Sequence, residues 1–414
     1  MFPAQSGEPR QETARATHFL SRILERILTS SLVEGLEGGL VVVLPNERNI
    51  KIGCQSSDLS APILRLNNYR VISASLRRGS LGFAEAYINR DIECTDLTKI
   101  IHFYLRNRTR LHASGGRLFK GRSIDRILHL LRRNSLKGSR RNISEHYDLG
   151  NAFYSLWLDR SMTYSSGLYR DGATTLEEAQ LAKLDRVREL LAAQNGQSIL
   201  EIGCGWGNFA CRTAQMDGTF VTGLTLSQEQ LGHARQSARQ LNLDRLCSFR
   251  LEDYRKTEGQ YDCIVSIEMI EAVGERYWDQ YFQTLFHRLK PGGTVVIQAI
   301  TIAPELFAAY RRRPDFIQRY IFPGGMLPTQ VIIEKEASRV GLNLTHTETF
   351  GRSYAQTLRA WKGRFESAWP EISKLGFDDR FRRRWEYYLM YCEAGFDDGA
   401  IDVGFYKFSK SHQS

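Results

Sequence analysis

The stretch "ILEIGCGWGNF", residues 199–209, decides the fold of this chain. Ile199-Leu200-Glu201-Ile202 has the apolar content of a buried strand, the run breaks at Gly203, Gly205 and Gly207, and helical periodicity starts at Asn208. Strand, glycine turn and helix bring a backbone close to a ligand, because glycine has no Cβ and adopts positive φ without strain. Taken alone, a GxGxG turn also fits a plain tight turn. Working outward, helix "TLEEAQLAKLDRVRELLAA" precedes the strand. Strand "FVTGLTL", helix "SQEQLGHARQSARQL", strand "CSFRLED", strand "YDCIVSIEM", helix "RYWDQYFQTLFHRL", turn "KPGG" and strand "TVVIQAITI" follow it. That alternation predicts a doubly wound, Rossmann-like α/β sheet, with ligand at the C-terminal strand ends.

Three details narrow the ligand. Glu201 sits on the strand just before the glycines, and Trp206 puts a bulky side chain inside the turn, unlike a pyrophosphate-binding loop. The second strand ends in "GLTLS" (223–227), without the acid that holds a ribose in a dinucleotide fold. An adenosine carrying an amino-acid tail and no pyrophosphate fits these features: S-adenosylmethionine. Thr225, Ser227 and Gln230 are candidate polar contacts to it, and Glu252-Asp253 lies where an adenine is read; a plain strand terminus also explains that acidic pair. Two further acids, Glu268 and Glu271, stand just past the apolar run of strand "YDCIVSIEM". They either cap the following helix or carry chemistry.

The bulk composition bounds the rest. The 414 residues include 42% hydrophobic and 25% charged side chains, ordinary for a globular chain of two or three domains. The net charge of +10 favours an anionic partner: a membrane surface, an anionic substrate or a nucleic acid. No RNA-binding module accompanies the charge, so no nucleic acid is expected. Seven cysteines without a CxxC pair argue against a disulfide framework and a zinc site, and suit a reducing cytoplasm. The first residues lack the apolar core of a signal peptide, and no apolar window is long enough to span a bilayer.

Three parts are expected along the chain. Residues 1–115 read as a small α+β domain: helix "THFLSRILERILTSSL", strands "GGLVVVLP", "RNIKIGC", "APILRLN" and "RVISASL", and helix "DLTKIIHFYLRNR". Residues 116–141 are a basic connector whose core, Ile124–Arg133, mixes apolar and cationic residues at helical spacing. It is either an amphipathic linker helix with solvated charges or an anionic-lipid patch. Residues 142–414 carry the α/β sheet. Near its end, "APELFAAYRRRPDFIQRYIFPGG" combines a cationic run with an apolar-aromatic segment, suited to lid a site or to lie solvated.

Several blocks, in order, carry a resemblance. They are "ISEHYDLGNAFYSLWLDRSMTYSSGLY" (143–169), "LEEAQLAKLD", "LEIGCGWG", "GLTLSQEQ", "EDYR", "VSIEMIEAVG", "YIFPGGMLP" and "FGRSYAQTLRAW". Over about residues 142–408 the chain resembles the cyclopropane-fatty-acyl-phospholipid synthase family, which includes the mycolic acid methyltransferases. "GSLGFAEAYINRDIECTDL" is similar to a piece of that family's N-terminal lipid-binding domain. The resemblance implies a class I methyltransferase with a doubly wound seven-stranded sheet, in which S-adenosylmethionine donates a methyl to the cis double bond of an acyl chain in a membrane phospholipid. Loss of a proton from the cationic centre then closes a cyclopropane ring, or leaves a methylated or methylene-branched chain. Peripheral attachment to the inner face of the cytoplasmic membrane is expected, and a homodimer is compatible with the sequence. The third reading, a non-catalytic lipid-binding protein, rests on the N-terminal part alone.

The resemblance also assigns residues. Tyr147, Tyr164 and Ser165 fall in the opening motif and are expected at the cofactor with Glu201, Gly203, Gly205 and Gly207. Aromatic faces at Tyr147, Tyr164 and Tyr354 suit a cationic intermediate. The family's base is a bicarbonate ion in a polar cage, which maps onto Glu271, Tyr354 and Ile300. Ser166 and Gln298 stand where the family has cysteine and histidine, and Ala272 follows Glu271 in place of the family's histidine. Both substitutes can still hydrogen-bond an anion, but an amide cannot take up a proton as imidazole does. Glu271 is therefore expected to orient the proton acceptor, and Glu268 to serve the cofactor side or the scaffold.

Overall fold

The computed structural model describes Arg26 and residues 35–53, 61–115, 149–170 and 172–411. The helix expected at 17–32 (beyond Arg26), the basic connector and Tyr147 lie outside the described residues. Those described form two compact units. One gathers the residues up to 115 together with Asp379–Ala394; the other holds the residues from 149 to 378 and those from Gly395 onward.

The N-terminal unit contains β1 (Leu40–Val43), β2 (Asn49–Ile52), β3 (Ile63–Leu66), α1 (Arg70–Arg78), α2 (Ser80–Ile88), β4 (Ile92–Cys94) and α3 (Leu97–Gly115). The four strands form one sheet in the order β2-β1-β3-β4, in which only β1 and β3 run parallel. The expected strand "RVISASL" is instead helix α1. Asn68 Oδ1 accepts the Arg70 N–H at 2.9 Å, a local turn that starts the helix. The Cα of Gly82 in α2 lies so close that a Cβ there would come within 2.2 Å of the Ala74 carbonyl oxygen. Close helix–helix packing thus overrides the β-branched composition of α1.

The second unit runs α4 (Asn151–Ser155), α5 (Leu176–Leu191), β5 (Ser198–Ile202), α6 (Asn208–Asp217), β6 (Phe220–Thr225), α7 (Gln228–Gln240), β7 (Cys247–Leu251) and β8 (Tyr261–Ile267). It continues with α8 (Ile270–Val273), α9 (Trp278–Arg288), β9 (Leu289–Ile302), α10 (Pro304–Arg312), α11 (Phe316–Tyr320), α12 (Gln330–Arg339), β10 (Leu342–Thr349), α13 (Gly351–Lys374), α14 (Asp379–Asp398), which up to Ala394 belongs to the N-terminal unit, and β11 (Ile401–Lys410). The sheet order is β10-β11-β9-β8-β5-β6-β7, and only β11 is antiparallel to its neighbours. The expected "KPGG" turn lies at the start of β9, where its register against β8 shifts.

Alternation along the strands feeds two cores, one on each face. Ile199, Val221, Phe249, Val265 and Val296 pack with Val187, Phe209, Leu231 and Ala234. Leu200, Leu224, Ile264, Val295 and Ile297 pack with Tyr281, Phe282, Leu285 and Ile333. Chain order reverses at β5, whose parallel neighbours are β6 and β8. The crevice outside the C-terminal ends of β5 and β8 is therefore where a ligand belongs. Its two walls are the glycine turn after Ile202 and the acidic segment after Ile267.

Candidate active site

The cofactor wall grows from β5. Gly203, Gly205 and Gly207 have φ of +80°, +53° and +86°, all in the left-handed region. A Cβ on Gly207 would meet Ala234 Cβ at 2.8 Å and the Phe249 ring at 2.9 Å, and one on Gly203 would meet Met269 at 2.8 Å. Those two glycines permit packing. Gly205 is different: a Cβ there would meet no atom within 4 Å, so its backbone borders open space. Trp206 points away and anchors the turn, donating from Nε1 to Asn151 Oδ1 at 2.7 Å. Asn151 in turn lines an open cleft of about 310 Å³ with Asp159, Met162 and His233.

Glu201 is 3% exposed, and its buried Oε2 has no hydrogen-bond partner. Burial pushes its carboxyl well above the usual range. An orphaned acid beside an open glycine cradle is what an ammonium tail on an adenosine requires, so these residues fit S-adenosylmethionine. Thr225, Ser227 and Gln230 come together, but they bond to one another. Thr225 Oγ1 donates to Gln230 Oε1 at 2.8 Å and accepts the Ser227 N–H at 3.1 Å, while Ser227 Oγ caps α7 at the Gln230 N–H. The Gln230 amide nitrogen remains as a donor toward ligand.

Of the expected adenine pair, Asp253 is a correction. Its carboxylate is bound by the Arg255 guanidinium at 2.6 and 2.8 Å, and it caps the turn at the Arg255 N–H. Glu252, the other member of the pair, is half-buried just past β7, its N–H bonded to the Thr225 carbonyl. Tyr164 belongs to an aromatic cluster, its ring centroid 5.3–5.6 Å from those of Tyr154, Trp157 and Trp361.

The second wall carries the main departure from expectation. Glu268, not Glu271, sits at the centre of the polar cage. Its Oε1 accepts the Ser166 backbone N–H at 2.8 Å and Gln298 Nε2 at 2.7 Å, and its Oε2 accepts the Tyr354 hydroxyl at 2.7 Å. Ser166, Gln298 and Tyr354, expected around bicarbonate, are thus directed at a carboxylate of the chain itself. An exogenous anion at that point would have to displace the carboxylate and would meet its charge. Ser166 contributes its backbone; its hydroxyl donates to the Gly167 carbonyl at 2.8 Å. Glu268 is held at φ +47°, unusual for a side chain larger than glycine.

Glu271 lies beside this cage. Its Oε1 accepts the Ile300 N–H at 2.5 Å, and its buried Oε2 is unpartnered. Ile300 is therefore turned to Glu271 and not to a shared anion. Burial, and next the neighbouring Glu268 charge, push the Glu271 carboxyl up to about 8. Burial also raises Glu268, but three donors oppose the shift. The surroundings treat the pair differently: three donors favour the charged form of Glu268, whereas Glu271, pushed up to about 8 with one donor, keeps its proton at neutral pH.

Two buried polar side chains next to the cage escaped the sequence reading. Lys183, 1% exposed, donates to Ser165 Oγ at 2.7 Å, and Gln180 Nε2 donates to the Ser165 carbonyl at 2.8 Å. Both lie on the face of α5 that buries Ala179, Leu184 and Val187. Polar residues at positions where the periodicity calls for apolar ones were the available signal. For Glu268 the signal was its place at the very end of β8. Among the described residues no group of His, Cys, Asp or Glu is arranged to hold a metal, and no helix is long and apolar enough to cross a membrane.

Comparison with known proteins agrees with this fold. The mycolic acid cyclopropane synthetase family model matches residues 134–406. The chain is 38% identical to the tuberculostearic acid methyltransferase UfaA1 of Mycobacterium tuberculosis, covering 84% of this chain and 83% of that protein. It is 35% identical to the cyclopropane-fatty-acyl-phospholipid synthase of Escherichia coli strain K12, over 81% and 85%. The cyclopropane synthase MmaA2 of Mycobacterium tuberculosis superposes with a TM-score of 0.62 at 30% identity, over 66% of this chain and 98% of that one. The mycolic acid cyclopropane synthase CmaA1 complexed with SAH and CTAB gives the same values. With a class I methyltransferase sheet, a glycine turn fitted to S-adenosylmethionine and these relatives, the chain belongs to the mycolic acid cyclopropane synthetase family of S-adenosylmethionine-dependent lipid methyltransferases.

Proposed function

We propose that the chain adds a one-carbon branch to the cis double bond of an unsaturated acyl chain in a membrane phospholipid, with Glu268 as the proton acceptor. The carboxylate of Glu268, held by Ser166 N–H, Gln298 and Tyr354, is the observation that carries this reading. When bound, S-adenosylmethionine supplies an electrophilic methyl on a sulfonium. The π pair of the alkene forms the new C–C bond, the S–C pair stays on sulfur, and S-adenosylhomocysteine leaves. The remaining cation on the acyl chain needs a base that accepts a proton without trapping it. A carboxylate with its lone pairs engaged by three donors meets that need, and the aromatic rings of Tyr164, Trp361 and Tyr354 suit a cation nearby. The proton goes to Glu268, and the C–H pair becomes a new C=C bond.

An open-chain product is favoured by the replacement of a free anion by a tethered acid, and by the likeness to a tuberculostearic acid methyltransferase. Ring closure is the second reading, favoured by the likeness to the Escherichia coli cyclopropane-fatty-acyl-phospholipid synthase. Incubation with S-adenosylmethionine and a defined unsaturated phospholipid, followed by mass spectrometry, distinguishes them. Both readings add the mass of one CH2. A double bond retained in the product is expected; its disappearance into a ring would reject the open-chain assignment. Turnover should be indifferent to added bicarbonate, and a strict requirement for it would reject Glu268 as the base. The expected membrane partner, an anionic surface met from one side, and the homodimer enter this proposal as features still to be measured.

A further inference from the structure

Outside the cage, the chain buries a cation with no structural need for its charge. The Lys183 amine lies in the interior, and Ser165 Oγ, a neutral acceptor, is its hydrogen-bond partner at 2.7 Å. Desolvating an ammonium is costly unless opposite charges offset it. The acids whose charge acts on it are Glu268 at the end of β8, Asp159, and Glu201 on β5. The Asp159 side chain accepts the Ser161 and Thr163 N–H groups at 2.9 and 3.1 Å. One turn earlier on α5, Gln180 Nε2 grips the Ser165 carbonyl at 2.8 Å. The next residue in the chain, Ser166, gives its N–H to Glu268. A continuous line therefore runs from α5 through Ser165–Ser166 to the carboxylate.

We propose that Lys183 and Gln180 are positioning residues for the proton acceptor. Together they fix Ser165 so that the Ser166 N–H stays aimed at Glu268, and the lysine's charge keeps that carboxylate ionised. Gln180 supplies geometry only; Lys183 supplies geometry and charge. A neutral side chain could pin the loop equally well, so the buried charge is the part that structure alone does not explain. Burial brings the amine down to about 8, so its charge, and its effect on Glu268, fade above that pH. Glu271 faces the same carboxylate with its proton retained below about 8, so it adds no opposing charge in the range where Lys183 acts.

This inference rests on Glu268 being the base, and the experiment separates the two claims. The full chain and its E268Q, K183M and Q180M variants are assayed with S-adenosylmethionine on unsaturated phospholipid vesicles between about pH 6 and 9, with S-adenosylhomocysteine affinity measured by calorimetry. K183M should lose about 100-fold in kcat and move the acid limb of the profile up by about one pH unit, because Glu268 loses a stabilising cation. Q180M should lose about tenfold with the limb unmoved. Both should bind S-adenosylhomocysteine within about threefold of the parent. K183M with the parent's kcat and limb would overturn the proposal. Should K183M lose cofactor binding through misfolding, Q180M decides: the parent's kcat there would overturn it equally. E268Q with full turnover would instead remove Glu268 as the base, whereas an inactive E268Q beside an unchanged K183M would sink the clamp alone.

Discussion

At the scale of single residues, two acids three positions apart behave differently because their surroundings differ. Glu268 receives three hydrogen bonds and Glu271 one. Replacing the base should cost about 10²- to 10⁴-fold in kcat, so E268Q is expected to fall in that range with S-adenosylhomocysteine binding retained. Glu271 is protonated at pH 7, and an amide resembles a neutral carboxyl, so E271Q should lose no more than about tenfold there. Turnover and calorimetry on the two variants check this; equal losses would return Glu271 to the centre. A linkage consequence follows for stability. The folded pKa of Glu271 is raised to about 8, above its unfolded value. Its favourable contribution is complete below the unfolded pKa near 4.5 and is lost as pH rises toward about 8. The melting temperature should decline over that window, and E271Q should flatten the decline. Motif position singled out Glu271. It could not say which acid is enclosed by donors, because those donors come from other elements.

At the scale of elements, the β5–turn–α6 unit was legible because its strand is a buried apolar run and its glycines occupy positions of positive φ. Two substitutions separate its packing role from its ligand role. Gly207→Ala sets a Cβ against Ala234 and Phe249, so it should lower the melting temperature as well as cofactor affinity. Gly205→Ala meets nothing, so beyond a backbone cost of about 1 kcal/mol its effect should be read in weaker S-adenosylhomocysteine binding. Calorimetry paired with thermal denaturation checks both. Helix α5 was legible for the same kind of reason: Thr175 and Glu178 form a reciprocal capping box at its start. Segment 70–76 was not. Its β-branched residues suggest a strand, and only the Asn68 turn and the close approach of Gly82 make it helical.

At the scale of the whole molecule, the chain crosses between its units late. Asp379–Ala394 of α14 belongs to the N-terminal unit, which the expected boundaries of 1–115 and 142–414 did not foresee. Arg383 holds that connection: its guanidinium lies 4.1 Å from the Tyr87 ring centroid and donates to the carbonyls of Tyr87 at 2.6 Å and Ile92 at 3.2 Å. Losing them should cost about 2–4 kcal/mol, so Arg383→Ala is expected to expose the N-terminal unit to limited proteolysis well before the parent. The net charge of +10 belongs to this scale too. Vesicle binding should rise with anionic lipid content and fall with added salt, as sedimentation would show. Indifference to both would separate the charge from membrane attachment.

The sequence by itself determined the α/β alternation from α5 to β9, the cofactor turn and the family, because each is written in contiguous residues: apolar runs, glycines and short motifs. Tertiary structure alone decided the proton acceptor's surroundings. Glu268 meets Ser166, Gln298 and Tyr354 across separations of 102, 30 and 86 residues. Hydrogen bonding acts over about 3 Å of space, whatever the distance along the chain, so only the folded sheet could show that the cage closes on an acid of its own.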